Sequence, residues 1–234
     1  MSIADNVKLV KERMASAARR AGRHPEEITL MAVSKTHPPE LIREAYEAGV
    51  RWFGENRVQE FAGKAAAVAD LAEAEWHLIG HLQTNKAAKA AELFSTVDSV
   101  DSLKLAEKLN AAAASLGKKL PILIEVNVGG EEAKSGVAPN GEEQAAILEA
   151  APRLNHLAIR GLMTVPPYSE DPEQARPYFR RLRELRDRIA AQKLPAVEMS
   201  VLSMGMSHDF EVAIEEGSTC VRVGTAIFGE RNKP

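Results

Sequence analysis

A chain of 234 residues has room for one large α/β domain or two small ones. Its apolar content of 45%, charged content of 27% and net charge of −3 belong to an ordinary globular protein, with no global field to draw it to nucleic acid or to an anionic membrane. The single cysteine, Cys220, excludes an intrachain disulfide, no apolar run approaches the roughly 20 residues of a membrane span, and Asp5, Lys8, Lys11, Glu12 and Arg13 do not read as a signal peptide, so a cytoplasmic protein is expected.

Ile3, Val7, Val10, Met14, Ala17 and Ala18 recur at helical spacing, which predicts an amphipathic helix over 2–21, ended by Gly22 and Pro25. A first strand is expected over 28–34, stopped at Lys35 before Pro38-Pro39. Then come a helix over 39–48, a strand over 50–54, an Ala-rich helix over 57–72, a strand over 76–79 and a helix over 84–92. A short strand over 96–98 precedes a helix capped by Asp101 or Ser102 and running to Leu116. The clearest strand is 120–128, with Ile122, Leu123, Ile124, Val126 and Val128. Helix 140–152, strand 156–161, helix 173–192, strand 197–202, helix 208–216 and strand 219–223 complete the order.

Eight strands alternating with helices imply a parallel sheet, and that number fits an α/β fold built as a single (β/α)8 TIM-type barrel over residues 1–234. An open doubly wound sheet is the alternative, but no GxGxxG follows the first strand. About ten residues remain after the eighth strand, too few for the usual last helix, so helix 2–21 is expected to pack outside the barrel in its place.

In such a barrel the site lies at the C-terminal ends of the strands, often with a phosphate site in the loops after strands seven and eight. Lys35 stands where the first strand opens into a loop. Partial desolvation there lowers a lysine's pKa and frees an amine able to attack an aldehyde; a lysine that snorkels out of the strand end is the plainer reading. The loops Ser203-Met204-Gly205-Met206-Ser207-His208-Asp209 and Gly224-Thr225-Ala226-Ile227-Phe228-Gly229 bring glycines and hydroxyls to the expected phosphate position, although tight turns use glycine too. Alternation places Arg222 on one face with Cys220 and Gly224, where a charge needs a ligand or an acidic partner, with Glu125 and Glu198 as candidates.

Asn56, in the segment after strand two, is a candidate to reach the mouth, although helix-start chemistry explains it nearly as well. His77 and His81 are four apart but not held on one helical face, and no HExxH is present, so no metal site is expected. The stretch Gly129 to Ser135 ends in Lys-Ser like a P-loop, but Ala133 stands where the glycine should be. Glu184 and Asp187 interleave the arginines between Arg176 and Arg188, which reads as a solvated helix face and not a nucleic-acid patch. Cys220 is expected to be buried and inert.

A nucleophilic lysine, a phosphate cradle and an inward arginine together suggest a phosphorylated aldehyde, and pyridoxal 5′-phosphate (PLP) meets all three. Arg222 would face the pyridine nitrogen and, because arginine keeps its proton, would leave that nitrogen unprotonated and the ring a poor electron sink. A Schiff-base aldolase acting on a phosphorylated sugar would use the same lysine and loops, but gives Arg222 no ring nitrogen to meet.

The motifs are those of a known family. Ala32-Val33-Ser34-Lys35, Phe53-Gly54-Glu55-Asn56 with Gln59-Glu60, Trp76-His77-Leu78-Ile79-Gly80 with Leu82-Gln83-Asn85-Lys86, Glu125-Val126-Asn127, Lys134-Ser135-Gly136, Gly161-Leu162-Met163, the run from Leu202 to Ser207 with Asp209, and the run from Arg222 to Gly229 cover nearly the whole chain in order. On these the chain closely resembles the pyridoxal phosphate homeostasis protein family, whose members look like the barrel domain of alanine racemase. The resemblance implies a PLP Schiff base at Lys35, Arg222 at the pyridine nitrogen, phosphate contacts from Ser203, Gly205, Gly224 and Thr225 with Met204 among them, and Asn56 near the cofactor. His81 departs from relatives that carry proline there, which affects the local loop shape.

The resemblance further implies a PLP carrier, a cytoplasmic monomer that holds the cofactor and delivers it to apo PLP-dependent enzymes without catalytic turnover. A PLP-dependent amino-acid racemase is the alternative. Racemases of this type need a β-domain after the barrel that supplies a tyrosine, and the chain is expected to lack it. Tyr46, Tyr168 and Tyr178 fall in predicted helices or their approach loops, so none reads as the missing base. Lys134 is a candidate for a second aldehyde site, with a solvated loop lysine as the plainer reading.

Overall fold

Strands buried on both faces are apolar along their whole length, and this is how Leu120, Ile122, Leu123 and Ile124 read. They belong to a closed parallel barrel: β1 (Thr29–Val33), β2 (Trp52–Glu55), β3 (Glu75–Leu78), β4 (Thr96–Val100), β5 (Leu120–Glu125), β6 (Leu157–Met163), β7 (Val197–Met206) and β8 (Cys220–Val223) pair in sequence order, and β8 closes on β1. The computed structural model describes residues 2–131 and 135–230; the expectation raised for Lys134 falls outside them.

Between the strands run α2 (Pro39–Glu47), α3 (Val58–Lys64), α4 (Ala87–Leu93), α5 (Leu103–Ser115), α6 (Glu142–Ala150), α7 (Arg176–Ala191) and α8 (Phe210–Glu215). The outward strand residues Phe53, Leu78, Ile122 and Val221 form one apolar core with Ile42, Leu105, Leu109, Phe179 and Leu182 from the helices. The inward positions are more polar: His77 bonds Asp98 inside the barrel, and Arg222 bonds Ser203.

The first helix, α1 (Ile3–Arg20), starts from a capping box in which Ser2 and Asp5 satisfy each other's backbone N–H groups. It buries Val7, Val10, Met14 and Ala17 and packs against α2, α8 and the one-turn helix α9 (Thr225–Phe228). The Asn6 amide donates to the Ile227 carbonyl at 2.8 Å, and Arg13 and Arg20 pair with Glu211. Helix α1 thus lies on the outside of the barrel, packed over α9, the single-turn helix that follows β8 among the described residues.

Several boundaries differ from the sequence expectation. The stretch 57–72 breaks after Lys64, whose side chain turns inward and is buried, and continues as a 3-10 turn over Ala65–Val68. Strand five ends at Glu125, and Val126 makes only an isolated bridge to Val137. Strand seven runs four residues past 202, because Gly205, at φ +93°, lets the backbone turn while Met206 still pairs with Arg222. Glu198, offered as a partner for Arg222, faces outward and pairs with Arg160 at 3.1 Å. On α7, Arg176, Arg180 and Arg183 converge on the buried carboxylate of Glu216, so that face is tied down by ion pairs as well as solvated.

The register of the barrel slips on both sides of β6, and Gly161 stands at both slips. A Cβ there would lie 1.8 Å from the Val201 carbonyl oxygen. Gly161→Ala is therefore expected to destabilise the fold by about 3 kcal/mol or more, since backbone cannot yield as a side chain does. Gly63→Ala, in α3 with open space around the new methyl, should instead stabilise by about 0.5–1 kcal/mol. Urea unfolding of the two variants beside the parent chain checks both signs.

Candidate functional site

The C-terminal ends of β1, β2, β7 and β8 surround a cavity of about 390 Å³, within the size range of small-molecule sites. Its lining includes Lys35, His37, Asn56, Tyr168, Ser207, Arg222, Gly224 and Thr225.

Lys35 sits in a turn closed by the His37 N–H donating to the Ser34 carbonyl at 3.1 Å. Thr36, the next residue, has φ +65°, a strained conformation for a β-branched side chain. The strain is held by contacts from α3: the Thr36 N–H donates to the Glu60 carboxylate, and the Lys64 ammonium donates to the Ser34 carbonyl at 3.0 Å and the His37 carbonyl at 3.4 Å. Lys64 in turn pairs with the fully buried Glu55 at 2.8 Å, which also accepts from the Ser34 hydroxyl at 2.6 Å.

Arg222 forms the inner wall. It is 3% exposed, and burial pulls its pKa below the ordinary arginine value. It is fixed by two hydrogen bonds of 2.7 Å, to the Ser203 hydroxyl and the Thr164 carbonyl. Glu125, the other acidic partner considered, makes no hydrogen bond to Arg222 but acts on it through space. Burial, with a smaller push from Asp101, raises the Glu125 carboxyl to about 7, and Arg222 only partly offsets this. Burial also pushes the Cys220 thiol up to about 12, which keeps it protonated and unreactive.

The far wall is made by the loops after β7 and β8. The Gly224 and Ala226 N–H groups both point at the Ser207 hydroxyl, at 3.2 and 3.3 Å, so backbone donors and hydroxyls converge there. Asp209 braces the same loop by accepting from the Met206 N–H at 2.6 Å. His37 stacks on Phe228 at 4.5 Å, linking the Lys35 turn to α9. Tyr168, on the segment after β6, lies at the rim near His208, with ring centroids 5.9 Å apart.

Of the residues singled out from sequence, Lys35, Asn56, Arg222, Gly224 and Thr225 meet in this one cavity. Ser203, Met204 and Gly205 do not line it. The Ser203 hydroxyl is fully buried beneath Arg222, Met204 lies in the apolar core, and Gly205 packs closely on Phe210 and Ala213 of α8. Strand seven continues past 202, which carries the loop's donors onward to Ser207. The sequence reading quoted Ser207 only within its loop and weighed Tyr168 only as a base, and it placed neither of them, nor His37, among the site residues. Ser207 sits in a loop already quoted and needed only the correct end of strand seven, His37 lies two residues past Lys35 in the same turn, and no periodicity places the segment that carries Tyr168. His77 and His81 separate: His77 bonds Asp98 at 3.1 Å in the interior, and His81 lies on the surface 3.3 Å from Asp101.

A family model described as alanine racemase, N-terminal domain, matches residues 3–232. The pyridoxal phosphate homeostasis protein of Aquifex aeolicus is 49% identical over 231 residues, covering 99% of either chain. The solved structure of PipY from Synechococcus elongatus with PLP bound is 40% identical, with a TM-score of 0.78 over 94% of this chain and 100% of that one. An alanine racemase of Clostridium difficile, 17% identical, superposes with a TM-score of 0.74 over 98% of this chain and 58% of that one, and shares the fold.

The raised Glu125 carboxyl has a consequence for stability. Between the ordinary carboxyl value and about 7 the folded chain binds a proton that the unfolded chain has released, so this group's contribution declines as pH rises through that window. Glu125→Gln should remove the decline, gaining on the parent chain by on the order of 1–3 kcal/mol between pH 5 and pH 8. Parallel denaturant slopes against pH for the two chains would rule this out.

Proposed function

This chain belongs to the pyridoxal phosphate homeostasis protein family, and from that premise we propose that it holds PLP in the barrel mouth, with Lys35 as the amine that condenses with the aldehyde, as a carrier without catalytic turnover. The observation that carries the reading is that one cavity is lined by a strand-end lysine, a buried guanidinium and a wall of converging backbone N–H groups. When bound, PLP supplies an aldehyde reactive toward a primary amine and a conjugated ring able to take up electrons.

The residues fit those parts. Lys35 offers its amine from a turn braced on both sides. Gly224, Thr225 and Ser207 offer donors to the phosphate, while Ser203 and Thr164 hold Arg222 in place beneath. Met204 and Gly205 serve the same wall from behind, by packing, and Asn56 borders the cofactor from the β2 side. A guanidinium has five N–H donors and gives up none of its protons. The bonds to Ser203 and Thr164 use two, leaving others to donate to the ring nitrogen, which then stays unprotonated and draws electrons weakly.

One observation favours the racemase reading: Tyr168 brings a phenol to the cavity rim. Its side chain is 79% exposed, however, and a proton donor for a substrate carbon must be held within hydrogen-bond reach. That exposure supports the carrier reading over the racemase, and the proposal is of a cytoplasmic monomer of one domain whose recipients are apo PLP-dependent enzymes.

Borohydride treatment of the PLP-loaded chain, followed by peptide mapping, should place the pyridoxyl label on Lys35; a label confined to another lysine sinks the assignment. The loaded chain should not exchange the α-proton of L- or D-alanine in D2O, and exchange on the order of 1 s⁻¹ would restore the racemase. Ser207→Ala combined with Thr225→Ala should weaken PLP binding by about a hundredfold or more, since each hydrogen bond to a charged group is worth about 1.5–3 kcal/mol. Pyridoxal, which lacks the phosphate, should be affected much less, and equal weakening of both would show that this wall does not read phosphate.

A further inference from the structure

We propose that Lys64 is a positioning residue for Lys35. With Glu60 and Glu55 it locks the turn that carries Lys35, so the direction of the reactive amine is set from α3. The inference rests on the reading of Lys35 as the aldehyde-condensing amine.

Lys64 is the last residue of α3, yet it is 9% exposed and turned toward β1 instead of solvent. Its ammonium reaches the carbonyls of both Ser34 and His37, the two residues that flank Lys35 and Thr36. Glu60, one helical turn earlier, takes the Thr36 N–H and also lies 3.4 Å from the Lys64 ammonium. Glu55, fully buried at the end of β2, anchors the cluster by pairing with Lys64 and accepting from the Ser34 hydroxyl. A buried ammonium needs such partners, and the partners chosen here are the backbone groups of one turn.

That turn needs bracing. Thr36 holds φ +65° without being glycine, so the isolated segment would relax toward extended backbone and swing the Lys35 side chain with it. The contacts to the Ser34 and His37 carbonyls and to the Thr36 N–H oppose that relaxation at three peptides of the turn, and the His37 N–H bond to the Ser34 carbonyl holds the fourth. None of the three bracing residues lines the cavity, and the contacts that Lys64 and Glu60 make to this segment are to the backbone of the turn.

The test compares the parent chain with Lys64→Met, Lys64→Arg and Glu60→Ala by two measurements. One is the rate at which added PLP produces the absorbance band at about 420 nm. The other is the affinity for 4′-deoxypyridoxine 5′-phosphate, which has the ring and phosphate but no aldehyde. Lys64→Met should slow the band by about tenfold or more, because small misplacements of a reacting group cost that much. Its affinity for the analogue should stay within about twofold. Lys64→Arg should recover most of the rate, and Glu60→Ala should slow it several-fold.

A Lys64→Met chain that forms the band at the parental rate overturns the proposal. So does equal loss of both probes, which would make Lys64 a residue that merely supports the barrel. Should Lys64→Met fail to fold, the partly exposed Glu60→Ala decides by the same two measurements. A parent chain that binds the analogue but shows no band, or is labelled on another lysine, would instead sink the functional reading, and this inference with it.

Discussion

The pairing of β8 with β1 is the constraint on which the site depends. It sets Met31 against Arg222 and Ala32 against Val223, although those residues lie at opposite ends of the sequence. Two parallel strands in this register end together, so the turn that follows β1 and the loop that follows β8 open into the same space. Lys35 and Gly224 become neighbours for that reason alone. Every other strand pair serves to bring β8 round to where this pairing forms, and helix α1 seals the seam from outside.

Closure also creates the electrostatic problem that the interior solves. Arg222 points inward from a buried strand, and such a charge is costly unless its donors are satisfied. Ser203 on β7 and the Thr164 carbonyl just after β6 supply the direct bonds, and Glu125 and Asp98 supply the field. The result is a guanidinium whose orientation is fixed before any ligand arrives. Lys35 is prepared in a different way, by bracing its backbone and leaving its side chain at the cavity wall. One wall is therefore stiff through a side chain, the other through a turn.

Much of this was legible in the sequence. The alternation of apolar strands with helices fixes the eightfold repeat, and the inward parity of Arg222 follows from its spacing relative to Cys220 and Gly224. Lys35 is marked by the proline pair that ends its strand. What could not be read was where strand seven stops. Ser203 and Ser207 are chemically alike and four residues apart, and only the left-handed backbone at Gly205, with the pairing of Met206 to Arg222, decides which of them reaches the cavity. Lys64 was hidden for a related reason. A lysine at the end of an alanine-rich helix reads as a solvated residue, and its burial depends on a β1 turn thirty residues earlier. Tyr168 enters the rim through a segment between β6 and α7 whose course no periodicity predicts.

The placement of α1 carries a consequence for how the chain is made. Its apolar stripe of Val7, Val10 and Met14 packs on elements that follow it by nearly the full length of the chain, as the bond between Asn6 and Ile227 shows. During synthesis, at about 5–20 residues per second, that stripe has α2 at hand but waits on the order of ten to forty seconds for α8 and α9. Until β8 emerges, the barrel also has two open edges where β1 and β7 end the sheet, each able to recruit a foreign strand. The fold therefore completes from its two ends at once and only at the last moment. The nascent chain is the form of this protein that a chaperone has most reason to meet.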